Sequence, residues 1–310
     1  MDKIDRELLE KITDLHKIEL GAFNIRKNGQ AVDRKNTKEI EIVPKKDKSG
    51  IDVYIKPNVK NKAVHIPVII TMGGLNDLVY NDFYIGENSS VTIVAGCGIH
   101  NNTSENSVHN GIHSFHLAKN SYAKYVERHI GMGNGTGGKI LNPVTKIYQK
   151  ENSHLDIETL QIGGVTSSVR KTFARLGENA KLEIQENILT TDEQTATTLF
   201  KVNLKGEKSS VEVVSHSVAR GKSYQEFKSN LIGENECFGH VECDGILLDN
   251  ARIVSVPMID ALDNNSSLVH EAAIGKIAGD ELIKLMTLGL NQEEAENTII
   301  KGFLMGWRVI

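Results

Sequence analysis

The sequence predicts a mainly β protein, a parallel β-helix or related stacked β-solenoid, with an N-terminal helix and C-terminal helices. A polar turn followed by alternating apolar residues recurs as GENSSVTIVAG at 86, AKNSYAKYVER at 118, KENSHLDIETL at 150, GENAKLEIQEN at 177, GEKSSVEVVSH at 206 and GENECFGHVEC at 233. Weaker copies stand at 248 (LDNARIVSVP) and 263 (DNNSSLVHEA), so successive starts lie 27 to 32 residues apart and then 15. Each unit reads as a turn, with Gly or Asn free to take positive φ, and then a period-2 strand. One such strand cannot bury its apolar face alone; stacking successive units does. An aromatic content of 5% with 27 glycines suits an elongated stack.

The remaining elements follow in order. Ile4, Leu8, Ile12 and Leu15 share one face at helical spacing, which predicts a helix over 2–17 with Asp2 as N-cap and Gly21 beyond its end. Residues 33–63 are lysine-rich between the alternating strands EIEIV and IDVYI and read as a solvated edge. We therefore expect an N-terminal region over 1–63, a β-helix core over 64–272 and a helical region over 273–310. In the last, Asp280 is placed to cap a helix carrying Leu282, Leu285 and Met286 on one face, with Gly289 as its stop. Asn291 and Glu294 form a capping box for a helix over 292–301, with Leu290 and Ala295 placed as a staple.

Composition excludes several classes. An apolar content of 39% and a charged content of 25% are ordinary for a soluble chain. A net charge of -4 and a pI near 6.3 give nucleic acid no footprint. No apolar run reaches the roughly 18 residues a membrane helix needs. The opening MDKIDRELLEKI is acidic and amphipathic, unlike a secretory signal. Three widely spaced cysteines argue against a disulfide framework and for a reducing compartment, so a cytoplasmic protein is expected. The glycine cluster over 131–138 lacks a Gly-Lys-Ser/Thr ending and is not followed by a helix pattern, so it reads as a wide or disordered loop. Any use of ATP must then come from a partner.

Two constellations bear chemistry. Cys243 is a soft ligand or a small buried apolar residue, and Glu242 and Asp244 beside it oppose thiolate formation. His270 and Glu271 follow 27 and 28 residues later, about one coil on. They are successive strand residues that point to opposite faces, so only one can join the face of Cys243. The second constellation is Cys97, His100, His109, His113, His116 and His129, whose spacing is not that of a zinc finger. His113 and His116 cannot share a strand face, which argues against one six-ligand cluster. Cys237, on a strand, reads as a buried structural thiol.

The ordered set Cys243-Asp244-Gly245-Ile246-Leu247-Leu248, Pro257, His270-Glu271-Ala272 and Gly275-Lys276-Ile277 resembles the C-terminal core of the SufB/SufD family, which assembles iron–sulfur clusters. The resemblance covers roughly residues 85 to 304. Within it VAGCGIHN, VHNGIHSF and GGKILNPVTK (137–146) also match family stretches. It implies a right-handed parallel β-helix, Cys243 as the cluster-assembly cysteine, and Glu271 as ligand or acid with His270 beside it. It also implies Cys97 and His109 as a pair where sulfur enters or a metal is held, with His100 and His113 additional. Val269 departs from the pattern, because typical SufB members carry an acidic residue there.

The cargo implied is a transient iron–sulfur cluster, and the chain itself is a scaffold, not an enzyme. The partners implied are a SufC-type ABC ATPase docked near Gly275, Lys276, Leu282, Leu285 and Met286, and a second β-helix body. A homodimer is expected, since this chain carries the ligand cysteine; a SufD-like subunit is the other choice, and neither nucleic acid nor a membrane is expected. Other classes stay open at this point. Parallel β-helices also host polysaccharide lyases and hydrolases, although few aromatics are present. His100, His109 and His113 would suit a metal-dependent hydrolase, and a purely structural SufD-like subunit would share the same fold.

Overall fold

Each coil of the chain lays one strand into each of two facing parallel sheets. The computed structural model describes residues 2–13 and 21–305. From the N-terminal end, the first sheet runs β2 (Gln30–Lys35), β1 (Ala22–Lys27), β5 (Lys62–Ile70), β7 (Ser90–His100), β9 (Tyr122–Met132) and β12 (His154–Ile162). It continues through β14 (Lys181–Thr190), β16 (Ser209–Ala219), β18 (Cys237–Leu247) and β20 (Ser266–Gly275). The second begins with β3 (Ile40–Pro44), β4 (Gly50–Ile55), β6 (Asn76–Ile85) and β8 (Ser107–Leu117). Next come β10 (Lys139–Leu141) with β11 (Val144–Gln149), then β13 (Ser167–Leu176), β15 (Thr195–Leu204), β17 (Tyr224–Gly233) and β19 (Arg252–Ala261). The parallel β-solenoid read from the repeats is the observed fold.

The repeat maps onto this geometry directly. Its turns precede the strands of the first sheet, so a period near 30 is one full coil and 15 is a half-coil. Asn88, Asn120, Asn152 and Asn179 hold φ between 50° and 56°, the left-handed region that asparagine tolerates best after glycine. Their amides stack into a ladder, Asn152 donating to Asn120 and Asn120 to Asn88, both at 3.1 Å. The repeat's glycine has another purpose. At Gly86 a Cβ would come within 2.6 Å of the Pro57 backbone nitrogen, so there the residue provides room for the adjacent coil.

The stacking starts before residue 64. β1 pairs in parallel with β5, and β4 with β6, so two strands of the lysine-rich stretch and its forerunner already belong to the solenoid. β2 and β3 fold back antiparallel and close that end. Between the sheets a continuous core of Ile, Val, Leu and Phe runs from Ile40 to Val241.

Among the described residues, three helices lie outside the stack. α1 (Lys3–Ile12) carries the N-cap expected at Asp2, and Asp5 completes a capping box with it. It ends at Ile12, where Thr13 turns extended, and the rest of the helix expected over 2–17 falls outside the described residues. Leu8 and Ile12 pack on β7 where Gly98 and Gly96 leave space; a Cβ at either glycine would sit 2.9 Å from the helix side chain. α2 (Gly279–Thr287) starts at Ala278 without a side-chain cap, so Asp280 lies in the first turn and does not cap it. Gly289 follows at φ 100°. α3 (Gln292–Met305) has the predicted box, with Asn291 and Glu294 exchanging bonds at 2.9 Å, and runs further than expected. It docks Ile300 and Leu304 against Val218.

Candidate functional site

Inward parity along the coils should be apolar, yet near both ends of the stack it is not. At the C-terminal end Cys243 points inward from β18, fully buried, in register with Ser215 below and Ala272 above. Only β20 and β19 lie beyond it, so the sulfur sits one coil beneath the open end. The Ser255 hydroxyl hydrogen-bonds the sulfur. The same hydroxyl lies 3.4 Å from His270 Nε2, and Ser229 lies 3.4 Å from His270 Nδ1. Burial pushes the Cys243 thiol up to about 11, with Glu186 and Asp244 adding to the rise and Ser255 opposing it. Burial, and then His240, lower the His270 pKa.

Glu271 does not join this group. The coil is 29 residues long here, so Val241 pairs with His270 and Glu242 with Glu271. His270 therefore inherits the inward parity and Glu271 the outward one. The Glu271 side chain is 67% exposed and approaches His240 at 3.8 Å. His270, not the Glu271 that was favoured, shares the inward parity of Cys243.

The second constellation also divides. Cys97, His109 and His113 line one interior cavity of about 10 Å³, room for a single water, together with Glu127 and His129. His100 stands at the outward parity of β7 and bonds Asn102 at 3.0 Å, so it is not part of this group. His116 is outside as well, stacked between Tyr84 and Tyr148. Pro143, at the break between β10 and β11 in the GGKILNPVTK stretch, supplies one wall. Burial pushes the Cys97 thiol well up, reinforced by Asp77 and Glu127, and lowers His113 to about 4. His109 Nδ1 is held 3.0 Å from Asp77, which Arg26 also contacts at 3.0 Å.

Glu127 and Arg170 were not picked out from the sequence, and they connect the two ends. Arg170 is fully buried, paired with Glu127, 3.1 Å from His129 Nδ1 and 3.2 Å from Glu186. Burial works to raise Glu127, but Arg170 and then His129 outweigh it and hold the carboxyl well below its usual value. Burial raises Glu186 despite Arg170. Thr198 and Ser215 donate to Glu186 at 3.2 and 3.3 Å, and Ser215 is the register neighbour of Cys243. A file of buried polar groups thus runs inside the solenoid from Cys97 to Cys243. The two cysteines are five strand steps apart, about 24 Å at the usual inter-strand spacing. Cys237 is a core residue, its thiol 3.5 Å from Ser266, as read.

The open end is apolar on its outside. Met258, Ile259, Leu262, Val269 and Ile274 are exposed on β19, β20 and the turn between them, with Leu262 at 65%. α2 buries no residue and exposes Ile283 and Met286.

Fold and site together define a parallel β-solenoid with a buried thiol towards each end of an internal polar file. A family model, described as the SUF system FeS cluster assembly, SufBD core domain, matches residues 80–303. An iron–sulfur cluster assembly SufBD family protein of Pyrococcus horikoshii is 28% identical over 263 residues, which cover 82% of this chain and 77% of that protein. One from Methanothermobacter thermautotrophicus is 30% identical over 222 residues, covering 70% of this chain and 53% of that protein. The chain spans little more than half of some relatives, 57% of a second Pyrococcus horikoshii protein among them. The chain belongs to the SufBD family of iron–sulfur cluster assembly proteins. No described helix is long and apolar enough to cross a membrane.

Proposed function

We propose that the chain is a SufB-like scaffold subunit on which an iron–sulfur cluster is assembled at Cys243. The observation that carries this is a thiol one coil below an open apolar end, linked through the Ser255 hydroxyl to the His270 imidazole. Thiolate and imidazole are natural ligands for iron in clusters. Cys243 is a protonated thiol at neutral pH, so taking up iron releases its proton. Neutral His270 has a ring nitrogen ready to accept that proton or to ligate. Sulfur enters at Cys97, and the internal file from Glu127 to Ser215 is polar enough to be its path.

The chain is then a scaffold and not an enzyme. A SufC-type ABC ATPase docks on the exposed face of α2, near Gly275, Lys276, Leu282, Leu285 and Met286. Met258, Ile259 and Leu262 pair two copies of this chain across their open ends, bringing two Cys243 sites together. The reading includes a cytoplasmic setting, which three cysteines without a disulfide between them support.

The test is anaerobic reconstitution with ferrous iron and sulfide. The native chain should develop sulfur-to-iron charge-transfer absorption, and Cys243→Ser should lose most of it. A spectrum unchanged in Cys243→Ser but lost in Cys97→Ser would move the cluster to the other end. One equivalent of zinc with hydrolytic activity would favour a hydrolase.

A further inference from the structure

We propose that the outer wall behind Cys243 carries a separate site for a divalent transition-metal ion, built by His216, Glu242 and Asp244. Glu242 and Asp244 flank Cys243 on β18 and point away from the core. His216 is the register neighbour of Asp244 on β16, and Val214 that of Glu242, so the backbone ladder alone brings the three side chains together. Their ligand atoms all lie within 4.8 Å of one another.

The histidine is the feature that calls for a ligand. His216 is nine-tenths buried, at 9% exposure, although it stands on the outer face of the sheet. Phe303 of α3 covers its ring at 4.8 Å. Neither ring nitrogen has a hydrogen bond or ion pair with a described residue, so the polar edge of a largely buried ring is left open towards the two carboxylates. The polar edge faces a groove of about 500 Å³ lined by Asp156, Glu183, Glu212 and Glu242. No described Lys, Arg or His pairs with Glu242 or Asp244. Asp244 Oδ1 accepts the Ala273 N–H at 3.2 Å, which fixes the carboxylate and leaves Oδ2 for an ion.

The other end of the groove shows what a self-satisfied version looks like. There His154 lies 2.6 Å from Asp156 and 3.0 Å from Glu183, Tyr122 donates to Asp156 at 2.6 Å, and Lys181 pairs with Glu183. The hydrogen bond to Asp156 raises the His154 pKa, which favours the charged imidazole beside these carboxylates. At His216 no such closure exists.

One imidazole with two carboxylates favours a first-row divalent metal over magnesium or calcium. Three protein ligands leave positions for water, so the ion exchanges. Metal binding here does not depend on the scaffold reading. On that reading the ion is ferrous iron, held on the opposite face of the strand that bears Cys243.

The probe is Co²⁺, added to the full chain without oxygen and followed by visible absorption and calorimetry. One equivalent should bind with a nitrogen–oxygen ligand spectrum. His216→Ala and Asp244→Asn should each weaken binding about 100-fold, at the upper end of what even a supporting residue costs. Asp244→Asn keeps the shape of the side chain, which guards against a folding failure in His216→Ala. His154→Ala should leave binding unchanged. Absence of stoichiometric binding, or binding lost in His154→Ala and kept in the other two, would overturn the proposal. So would thiolate charge transfer that Cys243→Ser abolishes. Failed cluster reconstitution with intact cobalt binding would count against the scaffold reading alone.

Discussion

Cys243 combines a ligand's chemistry with a core residue's environment. With its pKa at about 11, about one molecule in ten thousand is thiolate at pH 7. Alkylation by iodoacetamide should therefore be slow at pH 7 and quicken about tenfold per pH unit towards pH 10. Ser255→Ala removes the one hydrogen bond that favours the thiolate, so its rate at a given pH should fall. His113 offers a second test. Burial holds its pKa at about 4, whereas the unfolded chain titrates near 6.5. Below pH 6.5 the unfolded state takes up the proton first, so stability falls as pH drops towards 4, by up to about 3 kcal/mol. Denaturant melts of His113→Gln should show a flatter acid limb. At this scale the sequence was partly legible. Alternation alone required one of His270 and Glu271 to face away from Cys243. Which one depends on a coil of 29 residues, and coil length varies along the chain. Glu127 escaped notice because YVERH reads as a solvated strand, though it has the inward parity of Ala123 and Tyr125.

At the scale of elements, the asparagine turns and the outer helices carry the predictions. Asn120→Ala places a Cβ-bearing residue without a side-chain amide at φ 56° and breaks two rungs of the ladder. The cost should be about 1–2 kcal/mol in a urea melt, and Asn120→Gly should recover part of it. Ile300→Asp should detach α3 from Val218 and raise the exchange of its amides, while the solenoid's own unfolding stays cooperative. The turns were legible because each copy needs the same polar residues at one bend. The caps of α1 and α3 were legible for the same reason, since the capping box is a local pattern. The start of α2 was not: Ala278 caps it with backbone alone and leaves no residue-type signal.

For the whole molecule, repetition made the fold readable and its absence hid the first coils. β1 and β4 join the stack without the Gly-Glu-Asn turn, so the period shows only from residue 86 onward. The proposed pairing of open ends has its own check. Ile259→Asp or Leu262→Asp should shift the protein to monomers in sedimentation, with the coil structure intact by circular dichroism; dimers that persist would place the contact elsewhere. The two ends of the stack differ in a way that limits how copies can meet. At one, β2 is exposed and charged and β3 finishes in Pro44, both poor templates for further pairing. At the other, β19 and β20 offer apolar edges. A coil built with two such edges would add copies head to tail and grow into a fibre. With one end already blunted, an edge can meet only its own kind, and the proposed association would stop at two.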